Sequence, residues 1–204
     1  MTDPLGILDV STVDPDPLVQ FERWYSAAIE ATGDRAAAMT VATVGADGKP
    51  SARVVLLRGH DARGFVFYTN RESRKGRDIA AHDAVAALLY WPALDAQIRI
   101  EGTAAVVDDA ESDEYFAHRP HGHQLGAWAS AQSRPVADRE TLEAQVRAAE
   151  GRFPDAVPRP PYWGGYRIVP ARMEFWRNRT DRVHDRVEYR RADDGSWSRV
   201  RLSP

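Results

Sequence analysis

Residues 38–58 read AMTVATVGADGKPSARVVLLR, and this stretch decides the fold class. Residues 38–44 are β-branched and apolar, and residues 51–58 repeat that character after the pair Asp47-Gly48. An Asp-Gly pair between two such runs is a strong hairpin signal. The stretch therefore predicts two antiparallel strands joined by a tight turn.

Further strand and helix patterns surround this hairpin. Many short strands with hairpin signals and a few peripheral helices predict an α+β, mainly β, protein built on an antiparallel barrel. Residues 1–15 are acidic and aperiodic and are expected to form a flexible arm, whereas residues 16–204 are expected to form a single domain. Strands are predicted at 64–69, 85–91, 97–107, 166–169, 172–176, 183–190 and 197–202, and helices at 17–33, 73–82, 108–118 and 138–152.

The bulk composition excludes several classes of protein. With 204 residues and a net charge of −3, the chain has no basic excess with which to bind a nucleic-acid backbone. It contains no cysteine, which excludes disulfides and thiolate metal sites. No apolar run is long enough to cross a bilayer, and no secretion signal begins the sequence. These features predict a cytoplasmic protein without nucleic-acid or membrane partners.

Two clusters of cations are candidates for anion binding. Ser73 is a predicted helix cap, and the first turn that follows carries Arg74 and Lys75. Cations there oppose the helix dipole unless a phosphate lies against them. Near the C-terminus, Arg182, His184 and Arg186 would share one face of an extended strand and converge on one spot. The plainer alternative in both cases is a solvated, charged surface.

Other catalytic patterns are missing. His118, His121 and His123 lie close together, but their spacing fits no zinc or di-iron site. The sequence has no G-x-S-x-G nucleophile elbow and no glycine-rich nucleotide loop. No metal is therefore predicted.

Several motifs in fixed order resemble those of the pyridoxamine 5'-phosphate oxidase family. The resemblance covers the chain from about residue 16 to its last residue. It implies an FMN-binding split β-barrel, a homodimer with shared active sites, and oxidation of pyridoxamine or pyridoxine 5'-phosphate by molecular oxygen to pyridoxal 5'-phosphate and hydrogen peroxide. The motifs are RVVLLR at 53–58, FYTN at 67–70, SRKG at 73–76, Gln97, QLGAW at 124–128, QS at 132–133, WGGY at 163–166, EFW at 174–176 and RVHDR at 182–186.

The resemblance also implies a set of site residues. Arg182 and His184 would be catalytic and would contact the pyridine ring of a small phosphorylated substrate. The remaining substrate contacts would be Arg58, Tyr115, Arg119 and His123. The FMN contacts would be Arg53, Val54, Val55, Leu56, Leu57, Arg58, Tyr68, Thr69, Arg74, Lys75, Gln97, Gln132, Ser133, Trp176 and Arg186.

Three departures from the family pattern fall on the substrate side. Arg58 stands where the family usually has lysine, and His123 stands where it usually has serine. Residues 1–20 contain neither the arginine nor the tyrosine that often closes over the substrate. Two alternatives therefore stay open: a related FMN oxidase acting on another substrate, such as a phenazine-type intermediate, and a non-catalytic flavin or pyridoxal-phosphate binding protein.

Overall fold

Nine strands and five α-helices are formed by residues 3–204, the part of the chain that the computed structural model describes. The strands are β1 (Ala38–Val44), β2 (Pro50–Leu56), β3 (Gly59–Asp61), β4 (Gly64–Asn70), β5 (Ala84–Trp91), β6 (Ala96–Val106), β7 (Trp163–Arg177), β8 (Asp185–Arg191) and β9 (Trp197–Arg201). The helices are α1 (Pro17–Thr32), α2 (Arg74–Ala81), α3 (Asp109–Ala117), α4 (His121–Ala129) and α5 (Arg139–Arg152). None of these helices has both the length and the apolar character needed to span a membrane.

The strands form one antiparallel sheet that curls into a barrel. Their order is β2-β1-β5-β6-β7-β4-β3, and the β8–β9 hairpin pairs with the end of β7. The two ends of the sheet approach each other just after β2, where the Arg58 amide donates to the Val66 carbonyl oxygen over 2.8 Å. The predicted split barrel with peripheral helices is thus confirmed.

Local chemistry explains where the elements begin and how they face the core. The side chains of Asp16, Ser73, Asp108 and Asp138 each accept a hydrogen bond from a backbone N–H of the helix that follows. These caps satisfy amides that the first helical turn leaves unpaired. On the strands, alternate residues are buried in the barrel, because successive side chains point to opposite faces.

Most boundaries shift from the predicted ones by one or two residues, and three differences are informative. Strand β7 is continuous, because Pro170, which cannot donate to a strand partner, pairs with Gly102 at a β-bulge. Residues 119–128 predict a loop that leads into a short helix, and the helix, α4, already begins at His121. Strand β8 begins only at Asp185, since Thr180–Arg182 forms a 3-10 turn instead of extended backbone.

The N-terminal segment is packed against the domain. Residues 3–15 form no helix or strand, but Leu5, Leu8 and Val13 are buried in the main core. Asp3 also forms an ion pair of 3.0 Å with Arg177 at the end of β7. The expectation of a flexible arm is therefore wrong for these residues, because isolated apolar side chains in an acidic segment give no periodic signal.

Candidate active site

A cleft of about 620 Å³ opens beside the end of β2 and contains most of the predicted cofactor and substrate residues. It is bounded by β2, β4, the start of α2, and the turn between α3 and α4. Four of its residues are arginine or lysine, two are histidine, and none is aspartate or glutamate. The lining residues are Arg53, Val54, Val55, Leu56, Arg58, Tyr68, Thr69, Lys75, Tyr115, His118, Arg119, Pro120, His123 and Gln132.

Lys75 supplies a buried positive charge at one end of this cleft. Its side chain lies in the first turn of α2, and the residue is only 9% exposed. The ammonium donates to Thr69 Oγ1 and Gln132 Oε1, both at 3.0 Å, and to Ser73 Oγ at 3.3 Å. These partners are neutral, and among residues 3–204 no carboxylate forms an ion pair with Lys75. Burial, together with the nearby Arg53, lowers the pKa of Lys75 to about 8.

The surroundings of Lys75 suit a phosphate group. A buried cation without a counter-ion is costly, and an anion at the helix start would offset that cost. Arg53 lies near this position, where its Nη1 donates to Thr43 Oγ1 over 2.8 Å and its Nη2 lies 3.7 Å from Asp78. A Cβ atom on Gly76 would overlap the Arg71 carbonyl oxygen, so glycine lets the start of α2 pack tightly there.

Arg119 supplies a second cationic position across the cleft. Its guanidinium lies 4.5 Å from the centre of the Trp163 ring, and its Nη2 donates to the His123 carbonyl oxygen. Tyr68 and Tyr115 stack in parallel with a centroid distance of 3.9 Å, and both rings are nearly parallel to Trp163. Burial raises the pKa of Tyr68 to about 12, so its hydroxyl stays protonated near neutral pH. The result is a flat aromatic wall beside a guanidinium that forms no ion pair within residues 3–204.

A second group of predicted residues lies outside this cleft. Gln97, Trp176 and Arg186 are register partners on β6, β7 and β8, so their side chains form one row on the face turned away from the barrel core. The His184 ring packs 4.7 Å from the Trp176 ring. Arg182 is exposed on the preceding turn, where its φ is 60°.

Comparison with known proteins places this architecture in one family. A family model described as "Pyridoxamine 5'-phosphate oxidase" matches residues 26–153, and one described as "Pyridoxine 5'-phosphate oxidase C-terminal dimerisation region" matches residues 163–204. The chain belongs to the pyridoxamine 5'-phosphate oxidase family. Membership of this family confirms the predictions of an FMN cofactor and of an FMN-dependent oxidase.

Individual relatives of the family cover nearly the whole chain. The protein named pyridoxine/pyridoxamine 5'-phosphate oxidase in Cupriavidus metallidurans is 53% identical to this chain, and the match covers 98% of this chain and 94% of the relative. The protein of the same name in Burkholderia lata is 54% identical, and the match covers 97% of this chain and 93% of the relative. The crystal structure of PhzG from Burkholderia lata, in complex with tetrahydrophenazine-1-carboxylic acid, has a TM-score of 0.91 at 33% identity, over 98% of this chain and 100% of that one. An FMN-binding protein from Nostoc punctiforme, described as related to pyridoxamine 5'-phosphate oxidase, has a TM-score of 0.74 at 18% identity, over 94% and 100%, which shows the fold alone.

One sequence-based expectation about the site is wrong. Arg182, His184 and Arg186 do not converge from a single extended strand, because the backbone turns at Asp181 and Arg182 before β8 begins. Arg186 instead faces Glu174, to which its Nε donates over 2.8 Å. The order of residues alone could not show this, since the turn depends on two non-glycine residues with positive φ.

Other predicted contacts remain predictions for this oxidase family member. Arg74 and Ser133 are exposed and do not line the cleft, and the Leu57 side chain is buried in the core. Any contact of Leu57 with FMN would therefore come from its backbone. Conversely, His118 lines the cleft without having been predicted there. Its position three residues after Tyr115, at the end of the helix predicted at 108–118, was the signal that could have identified it.

FMN binding by the apoprotein is expected to weaken above about pH 8. The protonated ammonium of Lys75 attracts phosphate, and burial lowers its pKa to about 8. The dissociation constant of FMN should be constant from about pH 6.5 to 8, where the FMN phosphate is mostly a dianion and Lys75 is mostly protonated. Above about pH 8, Lys75 loses its proton, and the dissociation constant should rise by up to ~tenfold per pH unit. Quenching of flavin fluorescence between pH 6.5 and 9.5 measures it. A flat wild-type profile would contradict the expectation, and Lys75→Arg should remove the rise.

The same pKa shift should make the apoprotein more stable, not less, as the pH rises above about 8. Between about pH 8 and the ordinary value of 10.5, the unfolded chain still holds the Lys75 proton while the folded chain has released it. Because the unfolded state binds more protons in this range, the contribution of Lys75 to the free energy of unfolding increases with pH there.

Proposed function

We propose that this protein oxidises pyridoxamine 5'-phosphate, and also pyridoxine 5'-phosphate, to pyridoxal 5'-phosphate, with molecular oxygen as acceptor and hydrogen peroxide as the second product. The observation that carries the proposal is the pair of carboxylate-free cationic positions in one cleft, at Lys75 and at Arg119. Two such positions match two phosphate groups, one on FMN and one on a phosphorylated substrate.

The first position supports binding of the cofactor phosphate. Lys75, Thr69 and Gln132 already form one hydrogen-bonded group, with Arg53 close by. In the proposed complex the phosphate would become the counter-ion that Lys75 otherwise lacks. When bound, FMN supplies the acceptor for a hydride from the exocyclic carbon of the substrate and passes the electrons to oxygen.

The second position supports binding of the substrate phosphate. Arg119 and Arg58 have no carboxylate partner within 4 Å among residues 3–204, and His123 and Tyr115 line the same part of the cleft. The Arg119 guanidinium lies over the Trp163 ring, a contact that restricts where it can move, and its planar fork suits two-point recognition of a phosphate. The indole and tyrosine rings beside it exclude water from one side of the substrate.

In this proposal, a second copy of the chain completes each site. The row formed by Gln97, Trp176 and Arg186 lies away from the cleft, as do Arg182 and His184. Four of these residues fall within the segment matched by the dimerisation-region model, residues 163–204. Val54 and Leu56 on β2 also expose apolar side chains, and contact with a second copy would remove this apolar surface from water. A homodimer with shared sites would bring the two groups together.

Arg182 and His184 of the second copy would hold the pyridine ring. Their part is positioning and hydrogen bonding, because hydride transfer to a flavin requires no protein nucleophile. With the amine substrate, water would hydrolyse the resulting imine and release the aldehyde product together with ammonia.

A related oxidase activity is the second candidate. It is favoured by the TM-score of 0.91 to PhzG, which is described in complex with a tricyclic carboxylic acid. Against it, the pyridoxine/pyridoxamine 5'-phosphate oxidase of the same organism, Burkholderia lata, is 54% identical to this chain, whereas PhzG is 33% identical. A phenazine-type acid also brings no phosphate to the position beside Arg119.

Purified protein and matched substrates test the proposal. Bound FMN is identified by its absorbance after release, and pyridoxal 5'-phosphate and peroxide are measured with pyridoxamine 5'-phosphate, pyridoxine 5'-phosphate and unphosphorylated pyridoxamine. Turnover of the two phosphorylated compounds alone is the expected result. Turnover of tetrahydrophenazine-1-carboxylic acid in their place would overturn the substrate assignment, and bound FMN without turnover of any compound would indicate a binding protein.

Arg182→Ala is expected to lower turnover by about 10²-fold without loss of FMN, because a misplaced substrate ring loses the benefit of fixed orientation. Arg191→Ala, which removes an exposed arginine from the end of β8, is the matched control and should behave as wild type. Flavin absorbance of the purified variant and its kcat are the two measurements. A colourless Arg182→Ala protein would show that this arginine holds the cofactor instead of the substrate.

A further inference from the structure

The face of β6, β7 and β8 that is turned away from the core carries a regular grid of polar and charged side chains. Cross-strand register places Arg99 beside Glu174, and Glu174 beside Glu188. The next row on one side is Gln97, Trp176 and Arg186, and the next row on the other side is Glu101, Arg172 and Arg190. The row that contains the predicted cofactor contacts is therefore bordered by a row of ion-paired residues.

Glu174 lies at the centre of this grid and is only 4% exposed. Its Oε1 accepts from Arg186 Nε at 2.8 Å, and its Oε2 accepts from Arg99 Nη1 at 3.0 Å. A buried carboxylate is costly unless cations pair with it, and here two guanidiniums do so. Each oxygen of Glu174 thus binds an arginine from a different neighbouring strand.

Arg186 is fixed from two sides as a result. Its Nε is bound to Glu174, and its Nη1 donates to the Ser203 carbonyl oxygen over 2.8 Å. Among residues 3–204, Nη2 has no hydrogen-bond acceptor, although the side chain is three-quarters buried with 24% exposure. An arginine held in this way has lost its rotamer freedom before any ligand arrives, and it keeps one amino group available.

We propose that Glu174 is a positioning residue, which fixes the guanidinium of Arg186 for binding FMN. This inference rests on the proposed function, in which Arg186 of one copy contacts the cofactor held by the other. Glu174 itself has no free oxygen facing a ligand, because both oxygens are engaged by Arg186 and Arg99. Its effect on the cofactor would therefore pass through Arg186.

Glu188 provides a matched control for Glu174. It lies directly opposite Glu174 in the register, is 6% exposed, and binds Arg190 at 2.5 Å and Arg172 at 3.8 Å. Its carboxylate oxygens lie more than 4.0 Å from the guanidinium nitrogens of Arg186. Glu188→Gln and Glu174→Gln therefore remove the same buried charge from the same sheet, and only the second removes the anion that holds Arg186.

The experiment compares FMN dissociation constants, measured by quenching of flavin fluorescence, for the two glutamine variants in the full-length chain. Glu174→Gln is expected to weaken FMN binding by about tenfold, the effect of losing a charge-assisted hydrogen bond, and Glu188→Gln by less than about twofold. Equal weakening by both variants would overturn the proposal, because it would indicate a general effect on the sheet.

A double-mutant cycle with Arg186→Ala separates positioning of Arg186 from a general effect of Glu174 on the fold. The readout is the effect of Glu174→Gln on FMN binding with and without Arg186. If Glu174 acts through Arg186, Glu174→Gln should have less than about a twofold effect on FMN binding in the Arg186→Ala protein. A full tenfold effect in that background would overturn the inference. If Glu174→Gln does not fold, Glu174→Asp keeps the charge but shortens the reach, and wild-type affinity in that variant would count against positioning.

Failure of this inference and failure of the proposed function give different results. A wild-type protein that binds FMN and oxidises pyridoxamine 5'-phosphate, with no difference between the two glutamine variants, refutes the positioning role alone. A wild-type protein that binds no FMN refutes both.

Discussion

Lys75→Met is expected to raise the dissociation constant of FMN by about 10²-fold or more, because the phosphate loses charge-assisted hydrogen bonds in a buried site. The same change should leave the apoprotein as stable as wild type or more stable. Folding lowers the pKa of Lys75 from its ordinary 10.5 to about 8, so keeping the ammonium charged in the fold costs roughly 3 kcal/mol at neutral pH. Methionine removes that cost and fills a similar volume.

The opposite signs of these two effects make the result easy to interpret. FMN binding by fluorescence and the melting temperature of the cofactor-free protein are the measurements. Lys49→Met is the matched control, since Lys49 is the only other lysine in the sequence and is exposed in the β1–β2 turn. A Lys75→Met protein that binds FMN normally, or that unfolds at a much lower temperature without FMN, would show that Lys75 serves the fold instead.

Arg119→Met is expected to lower kcat/KM for pyridoxamine 5'-phosphate by about 10²- to 10³-fold while FMN binding stays unchanged. The guanidinium beside Trp163 has no carboxylate partner among residues 3–204, so its loss would remove the proposed two-point contact with the substrate phosphate. Arg119→Lys should recover only part of the activity, because an ammonium cannot reproduce the planar stacking on the indole. Activity with unphosphorylated pyridoxamine, already low, should be unchanged.

Arg152→Met is the control for the loss of a stacked arginine. Arg152 lies 4.7 Å from the centre of the Trp128 ring, a packing like that of Arg119, but it does not line the cleft. Steady-state kinetics with both substrates, together with the flavin content of each variant, are the measurements. An Arg119→Met protein that loses FMN, or that loses activity equally on both substrates, would contradict the assignment of this arginine to the substrate phosphate.

The features that could be predicted from the sequence are those set by neighbouring residues. The helix starts at Asp16, Ser73, Asp108 and Asp138 follow from the capping chemistry of a single side chain. The basic first turn of α2 likewise indicated an anion site, and Lys75 does lie in the cleft. In each case the physical cause is complete within a few residues of chain.

The features that escaped prediction depend on contacts between distant parts of the chain. Glu174 and Arg99 are 75 residues apart, and nothing near either residue indicates that they meet across β6 and β7. The burial of Leu8 against the barrel is of the same kind. The turn at Arg182 is local, but its positive φ occurs in a residue type that rarely adopts it, so the expected strand began too early.

The separation of the cleft from the row of Gln97, Trp176 and Arg186 has a thermodynamic consequence. If each flavin is held by residues from both subunits, cofactor binding and subunit association are linked equilibria, and each strengthens the other by the same factor. Diluting the protein would then release flavin, and withholding flavin would favour separated subunits. Supply of the vitamin from which flavin is made would in this way influence how much of the protein exists as an assembled catalyst.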